Sequence, residues 1–181
     1  MTTTLFTNAH IATGEPGSTA ASTLPLQDIL VTDGVFTAFG PGLAQQYEAQ
    51  GGDPAAIEVV DLGGKLVCPP FCDTHLHLDY VFTARKPGAV NESGTLFEGI
   101  QRWSETKSDL TVDEIKQRAK IGIKKEMLHG VQLIRSHADV TDPNLTSLKA
   151  LLELKEELKD TVTLQIVSFP QEGMYSYEGP H

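Results

Sequence analysis

The chain has 181 residues and 40% hydrophobic composition, enough to bury a core in one domain or slightly more. Its formal net charge of -10 argues against a nucleic-acid partner, which would need clustered Lys and Arg, and favours a small or neutral substrate. No stretch approaches the roughly 18 uncharged apolar residues of a membrane span, and the N-terminus lacks the features of a signal peptide. We therefore expect a cytoplasmic protein with no membrane partner.

The first part of the chain, residues 1–67, is expected to form short strands joined by turns. Residues 29–39 alternate in polarity on both sides of Asp33-Gly34, a dipeptide favoured in tight hairpins. The segment 40–56 is polar and rich in Gly, Gln and Ala, and we expect it to be a loop.

Helices are expected in the remainder of the chain, residues 68–181. One is predicted at 96–107, and a second begins at Thr111, where T-V-D-E supplies a capping box, and ends near Gly130. A third is predicted from Pro143 to residue 159, because Asp-Pro is a plausible cap and first helical position and leucines follow at helical spacing.

Three predicted strands alternate with these helices, which implies a parallel sheet. Polar residues follow each strand: His75 and His77, then His137 and Asp139, then Gln171 and Glu172. This distribution is typical of a TIM barrel, whose active sites lie at the C-terminal ends of the strands. A barrel needs about 250 residues, so we expect residues 68–181 to hold about three of the eight strands.

The most informative motif is DTHLHLD, residues 73–79. Residues two positions apart in a strand point to the same side, so His75 and His77 could reach one metal ion. Catalytic metal sites usually take three protein ligands, so these two histidines alone would not hold a catalytic metal. The flanking Asp73 and Asp79 are expected to orient the imidazoles through hydrogen bonds.

Two cysteines, Cys68 and Cys72, flank a Pro-Pro pair beside this motif. No second cysteine pair accompanies them, which disfavours a metal site. We interpret both as buried free thiols, since free Cys behaves as a small hydrophobe.

Residues 67–79, VCPPFCDTHLHLD, resemble the first-strand motif of the amidohydrolase superfamily. Three further segments resemble the bacterial cytosine deaminases in order and spacing: SGTLFEGIQRW at 93–103, RSHADVTDPNLTSLKALLELK at 135–155 and LQIVSFPQEG at 164–173. The resemblance covers nearly everything after residue 60. It implies an α/β fold, the N-terminal part of a TIM (β/α)8 barrel at 68–181, preceded by part of a small β-sandwich domain at 1–67.

The resemblance also implies roles for individual residues. His75 and His77 match the first two metal ligands of one divalent ion, Fe(II) or Zn(II), since imidazole suits both. Gln171 matches the glutamine whose carboxamide pairs with the pyrimidine edge, because an amide offers a donor and an acceptor together. Leu96 matches a residue whose backbone carbonyl faces the base. No catalytic residue of the family is matched here, because its proton-transferring glutamate and remaining metal ligands lie on later strands.

Three hypotheses for function follow from the resemblance. The first is hydrolytic deamination of cytosine to uracil and ammonia, with this chain an N-terminal portion that is inactive alone. The second is a related amidohydrolase acting on isoguanine, creatinine or an s-triazine amide. The third is a non-catalytic gene fragment, or one half of a split enzyme with a complementing C-terminal chain.

The complete enzyme is expected to be a homo-oligomer with a nucleobase substrate. His137, Asp139 and Glu172 are assigned structural roles.

Overall fold

The computed structural model describes residues 2–12 and 24–173. The chain divides into two compact units, Met1–Pro69 and Pro70–His181. This boundary lies within two residues of the one expected from the sequence.

The first unit contains a five-stranded sheet. Its strands are β1 (Thr3–Ile11), β2 (Leu26–Thr32), β3 (Val35–Gly40), β4 (Glu58–Asp61) and β5 (Leu66–Val67). Antiparallel β2 and parallel β4 flank β1, while β5 pairs with the end of β1. The turn between β2 and β3 has positive φ at both Asp33 and Gly34, the geometry of a type I′ hairpin. The predicted hairpin is therefore confirmed.

A short helix, α1 (Leu43–Ala49), occupies the segment that was expected to be a loop. Leu43 is buried, and its backbone N–H donates to Asp28 Oδ2 on β2 at 3.1 Å. Isolated helices this short are unstable in water, so packing and this tertiary hydrogen bond stabilise the helix. The expectation of a loop was wrong because it was based on local composition, which does not indicate either of these tertiary contacts.

The second unit is a three-stranded parallel sheet with helices. Its elements are β6 (Phe71–Leu76), α2 (Leu96–Lys107), α3 (Val112–Leu128), β7 (Val131–Asp139), α4 (Thr146–Glu157) and β8 (Thr163–Phe169). The strand order is β6-β7-β8, and both pairings are parallel. The predicted alternation of strands and helices is confirmed. The C-terminal ends of all three strands consequently lie at one edge of the sheet.

Threonine caps start two of these helices at the predicted places. Thr95 Oγ1 accepts the Glu98 N–H at 3.4 Å, and Thr111 Oγ1 accepts the Glu114 N–H at 3.2 Å. Each hydroxyl satisfies one of the N–H groups that a helix leaves without an internal partner.

The helix α4 begins three residues later than predicted. Asp142 Oδ2 accepts the Thr146 N–H at 2.9 Å, while Oδ1 accepts the Asn144 N–H at 3.0 Å. Leu145 adopts a left-handed conformation with φ 51°, which prevents the helix from extending back to Pro143. Asp142 therefore caps the helix across a turn rather than from the adjacent position.

The core of the second unit lies between the sheet and the helices. Its fully buried members include Leu78, Ile115, Ile134, Leu151 and Leu154. The leucines of α4 are buried only on the face that helical periodicity turns toward the core: Leu151 is buried, whereas the adjacent Leu152 is 49% exposed. Among the residues that the structure describes, no helix is long and apolar enough to cross a membrane.

The two cysteines are free, as expected, but both are exposed and the expected burial was wrong. Cys72 lies on β6, an edge strand of the sheet, where the preceding Phe71 is also 61% exposed. Burial had been inferred from the general tendency of free Cys to behave as a small hydrophobe, but an edge strand leaves such a side chain uncovered.

Candidate active site

Two histidines converge at the end of β6. The Nε2 atoms of His75 and His77 lie 3.3 Å apart, as the two-residue spacing in an extended segment predicts. Two nitrogens bound to one tetrahedral Zn²⁺ at about 2.0–2.1 Å would be separated by about 3.3 Å. The distance between the imidazole nitrogens therefore fits two ligands of a single divalent ion.

A hydrogen bond sets the proton position on His77. Its Nδ1 lies 3.0 Å from the backbone carbonyl oxygen of His137. A carbonyl can only accept, so Nδ1 carries the proton and Nε2 keeps its lone pair for a metal. Burial also lowers the pKa of His77, an effect that the bond to His137 opposes. The neutral form that binds metals is thus favoured.

Aromatic rings enclose the pair of imidazoles. The His137 ring stacks on His75 with centroids 3.9 Å apart, and the Tyr80 ring stacks on His77 at 4.6 Å. Phe169, the last residue of β8, presents its edge to His77 at 5.2 Å. Residues from all three strand ends therefore hold the rings. The sequence had indicated His137 by its place at a strand end, but it gave no signal for Phe169.

The two aspartates beside the histidines do not orient the imidazoles as expected. Asp73 Oδ1 accepts the backbone N–H of His75 at 2.9 Å, and Asp79 Oδ2 accepts the backbone N–H of Asp139 at 2.9 Å. Both carboxylates hold the backbone instead. Burial raises the pKa of Asp79 to about 6, against the opposing hydrogen bond from Asp139.

Within residues 2–12 and 24–173, no three His, Cys, Asp or Glu side chains form a group that could hold a metal ion. In the described part of the chain, the His75–His77 pair is therefore without a third ligand of these types.

A pocket of about 420 Å³ lies at the N-terminal half of α2. Leu96 and Gln171, the two residues assigned to substrate binding, both line it. So does Tyr80, whose ring contacts His77, so the pocket is adjacent to the histidine pair. Two sequence assignments 75 positions apart are thus brought to one cavity.

The carboxamide of Gln171 has an unused acceptor. Its Oε1 is buried and has no hydrogen-bond partner in the described part of the chain. A buried acceptor without a partner costs about 1–3 kcal/mol, which a ligand N–H in the pocket would offset. An acceptor such as Gln171 Oε1 suits a heterocycle that carries ring or amino N–H groups.

The side chain of Leu96, which lines this pocket, and that of its neighbour Phe97 are 72% and 83% exposed. On the same helix, Trp103 is 5% exposed. The difference follows from helix geometry, because residues six positions apart on α2 face different directions.

Residues 58–180 match the sequence model of the Amidohydrolase family. This chain belongs to the amidohydrolase family. Members are generally metal-dependent, in agreement with the imidazole geometry at the end of β6.

Among solved structures, this amidohydrolase is similar to 5-methylcytosine deaminase from Klebsiella pneumoniae, with 40% identity and a TM-score of 0.77 over 96% of this chain and 38% of the other. Among curated proteins, it is 35% identical over 120 residues to N-isopropylammelide isopropyl amidohydrolase of Pseudomonas sp. (strain ADP), covering 64% of this chain and 30% of the relative. Pterin deaminase of Rhizobium rhizogenes is 28% identical over 152 residues, covering 81% and 32%. The chain thus spans about a third of the length of these relatives. Its fold is that of an N-terminal portion of an amidohydrolase TIM barrel, as predicted.

Proposed function

We propose that this chain supplies two metal ligands and part of the substrate pocket of a hydrolase that deaminates cytosine or 5-methylcytosine, releasing ammonia. The observation that carries the proposal is the 3.3 Å separation of the His75 and His77 Nε2 atoms beside the pocket that contains Gln171. The similarity to 5-methylcytosine deaminase, at 40% identity, supports this substrate class.

The histidine pair would hold a divalent ion, Fe(II) or Zn(II), through the two Nε2 atoms. Such an ion supplies the Lewis acidity that makes water a nucleophile near neutral pH. His77 is prepared for this role because its Nδ1 proton is donated to His137. The stacked rings of His137 and Tyr80 limit rotation of the two imidazoles, which favours binding without a large entropic cost.

Gln171 would recognise the pyrimidine edge. Its carboxamide offers one acceptor and one donor group, matching an edge on which ring N–H, ring nitrogen and carbonyl alternate. The buried Oε1 without a partner supports this role, since a substrate N–H would satisfy it. Leu96, which lines the same pocket, would contribute its backbone carbonyl.

The remaining metal ligands and the group that transfers protons would come from residues outside the described ranges. We infer this because no further metal-binding group lies with the histidine pair in the described ranges. The chain would then act only together with the rest of the barrel, on one polypeptide or on a complementing chain.

A second candidate is hydrolysis of a related ring. The curated relatives support it, because their names give N-isopropylammelide and pterin as substrates rather than cytosine. Both candidates use the same histidine pair and differ in what fills the pocket.

A substrate panel separates the two candidates. The protein that carries this chain, loaded with Fe(II) or Zn(II), is incubated with cytosine, 5-methylcytosine, N-isopropylammelide and pterin, and released ammonia and isopropylamine are quantified. We expect ammonia from cytosine or 5-methylcytosine at the highest kcat/KM. Preference for N-isopropylammelide or pterin would replace the first candidate by the second, and inactivity with all four would contradict both.

A further inference from the structure

Lys107, in the last turn of α2, is a nearly buried ammonium group that no assigned role explains. Its side chain is 11% exposed. Its Nζ donates to Thr141 Oγ1 at 2.6 Å, to Glu172 Oε1 at 2.6 Å and to Asp139 Oδ2 at 3.2 Å. Removing an ammonium from water is costly, so the group is retained only where oxygens satisfy all of its donors.

Asp139 is the fixed centre of this arrangement. Its side chain is 1% exposed. Besides Lys107, its oxygens accept the Trp103 indole N–H at 2.7 Å and, from Thr141, the backbone N–H at 2.8 Å and the hydroxyl at 2.6 Å. The carboxylate at the end of β7 is thereby tied to α2 through the indole and the ammonium. A fully satisfied buried polar network of this kind restricts the groups it joins to one arrangement.

Glu172 connects the network to the turn that follows β8. The turn is closed by a hydrogen bond from the Gly173 N–H to the Pro170 carbonyl at 2.9 Å, so Gln171 and Glu172 are its central residues. Glu172 is the immediate neighbour of Gln171, whose carboxamide lines the pocket together with Trp103. The bond from Lys107 to Glu172 therefore joins the Gln171 turn to the helix that forms the other wall of the pocket.

We propose that Lys107 is a positioning residue, which holds the Gln171 carboxamide against the substrate by clamping Glu172 and Asp139 to α2. The proposal rests on the proposed function in one respect, that Gln171 meets the substrate. Lys107 itself lines no part of the pocket and acts through Glu172. Without its ammonium, the two carboxylates face each other without this cation between them, and the Gln171 turn loses the ion pair that joins Glu172 to α2.

The kinetic test uses the deaminase that contains this chain and compares Lys107→Met with the matched control Lys116→Met. Lys116 also bridges two carboxylates, Glu153 and Glu157, but between α3 and α4. We expect Lys107→Met to raise KM for cytosine about tenfold, the loss of one hydrogen bond to substrate, with kcat changed less than about threefold. Lys107→Arg should recover most of the KM, while Lys116→Met leaves both constants unchanged. An unchanged KM in folded Lys107→Met, or an equal rise in Lys116→Met, would overturn the proposal.

A second variant, Glu172→Gln, tests the same role if Lys107→Met does not fold. Glu172→Gln keeps the size of the side chain and removes the charge that Lys107 holds. We expect a rise in KM of about threefold, because a neutral hydrogen bond replaces a charge-assisted one. A folded Glu172→Gln protein with wild-type KM contradicts the clamping role.

A substrate-free measurement separates failure of this proposal from failure of the proposed function. In ¹H–¹⁵N NMR spectra, the Gln171 side-chain amide and the indole N–H of Trp103, the single tryptophan of the sequence, report on the clamp directly. Both resonances should move in Lys107→Met and stay in place in Lys116→Met. If the wild-type protein deaminates no pyrimidine but both resonances move, the function is wrong and the positioning role stands; an unmoved Gln171 amide rejects the positioning role.

Discussion

The Nδ1 atom of His77 lies 3.0 Å from the backbone carbonyl oxygen of His137, and this contact leaves Nε2 of His77 free to bind a metal. Since we propose that His77 is a metal ligand, its removal should weaken metal binding. In the complete protein, we expect His77→Ala to lower metal affinity by at least about 100-fold, more than the loss of an orienting partner costs. Elemental analysis after dialysis against chelator measures this directly. His129→Ala is the control, because His129 is exposed at the end of α3 and should leave metal content unchanged.

The chain by itself should be inactive. With only His75 and His77 available as ligands in the described ranges, purified chain plus Fe(II) or Zn(II) is expected to release no ammonia from cytosine. A coupled glutamate dehydrogenase assay measures the ammonia. Turnover that survives His77→Ala would identify a contaminating deaminase, whereas turnover abolished by it would show that these 181 residues suffice.

Gln171→Leu tests substrate recognition. The substitution keeps side-chain volume but removes both hydrogen-bonding groups, so KM for the preferred substrate should rise about tenfold or more. Gln165→Leu, at an exposed position on β8, serves as the control and should not change KM. Steady-state kinetics on the complete protein measures KM for both variants and for wild type. Equal KM values for Gln171→Leu and wild type would show that Gln171 does not bind the substrate.

The buried leucines of α4 should dominate the stability of the second unit. Leu151 is 0% exposed, and Leu151→Ala is expected to reduce the free energy of unfolding by about 2–5 kcal/mol through lost burial and the cavity left behind. The adjacent Leu152 is 49% exposed, so Leu152→Ala should cost less than about 1 kcal/mol. Urea denaturation followed by circular dichroism compares the two variants. Similar losses of unfolding free energy in both variants would mean that α4 packs a different face against the sheet.

Glu98 should make stability depend on pH at the start of α2. Hydrogen bonds from the Ser93 hydroxyl and from the backbone N–H groups of Ser93 and Glu92 lower the pKa of Glu98 from 4.5 to about 2. Because the folded pKa is below the unfolded one, the stabilisation is complete above pH 4.5 and disappears as pH falls to about 2.

Glu98→Gln should therefore be less stable than wild type at pH 6, with the difference shrinking below pH 4.5. Urea midpoints measured at several pH values check this, with Glu105→Gln on the same helix as the control. A difference that is independent of pH would show that the Glu98 carboxylate is not the group responsible.

Local patterns in the sequence predicted the elements well where a side chain acts on its own helix or strand. Thr95 and Thr111 start α2 and α3 because each hydroxyl bonds a backbone N–H three residues ahead. The pairing of His75 with His77 follows from the two-residue repeat of a strand. By contrast, α1 was missed because it depends on Asp28, fifteen positions before Leu43.

The sequence by itself determined the family motif, the order of strands and helices, and the two imidazoles that point to one side. These features depend on backbone periodicity and on hydrogen bonds between near neighbours. Only the tertiary structure decided that Gln171 and Leu96 line one pocket, that His137 fixes the tautomer of His77, and that Asp139 joins Trp103 to Lys107. The residues of each pair are at least 32 positions apart in the sequence. Packing of the parallel strands and α2 brings the three hydrogen-bonded pairs within bonding distance and Gln171 and Leu96 to one pocket.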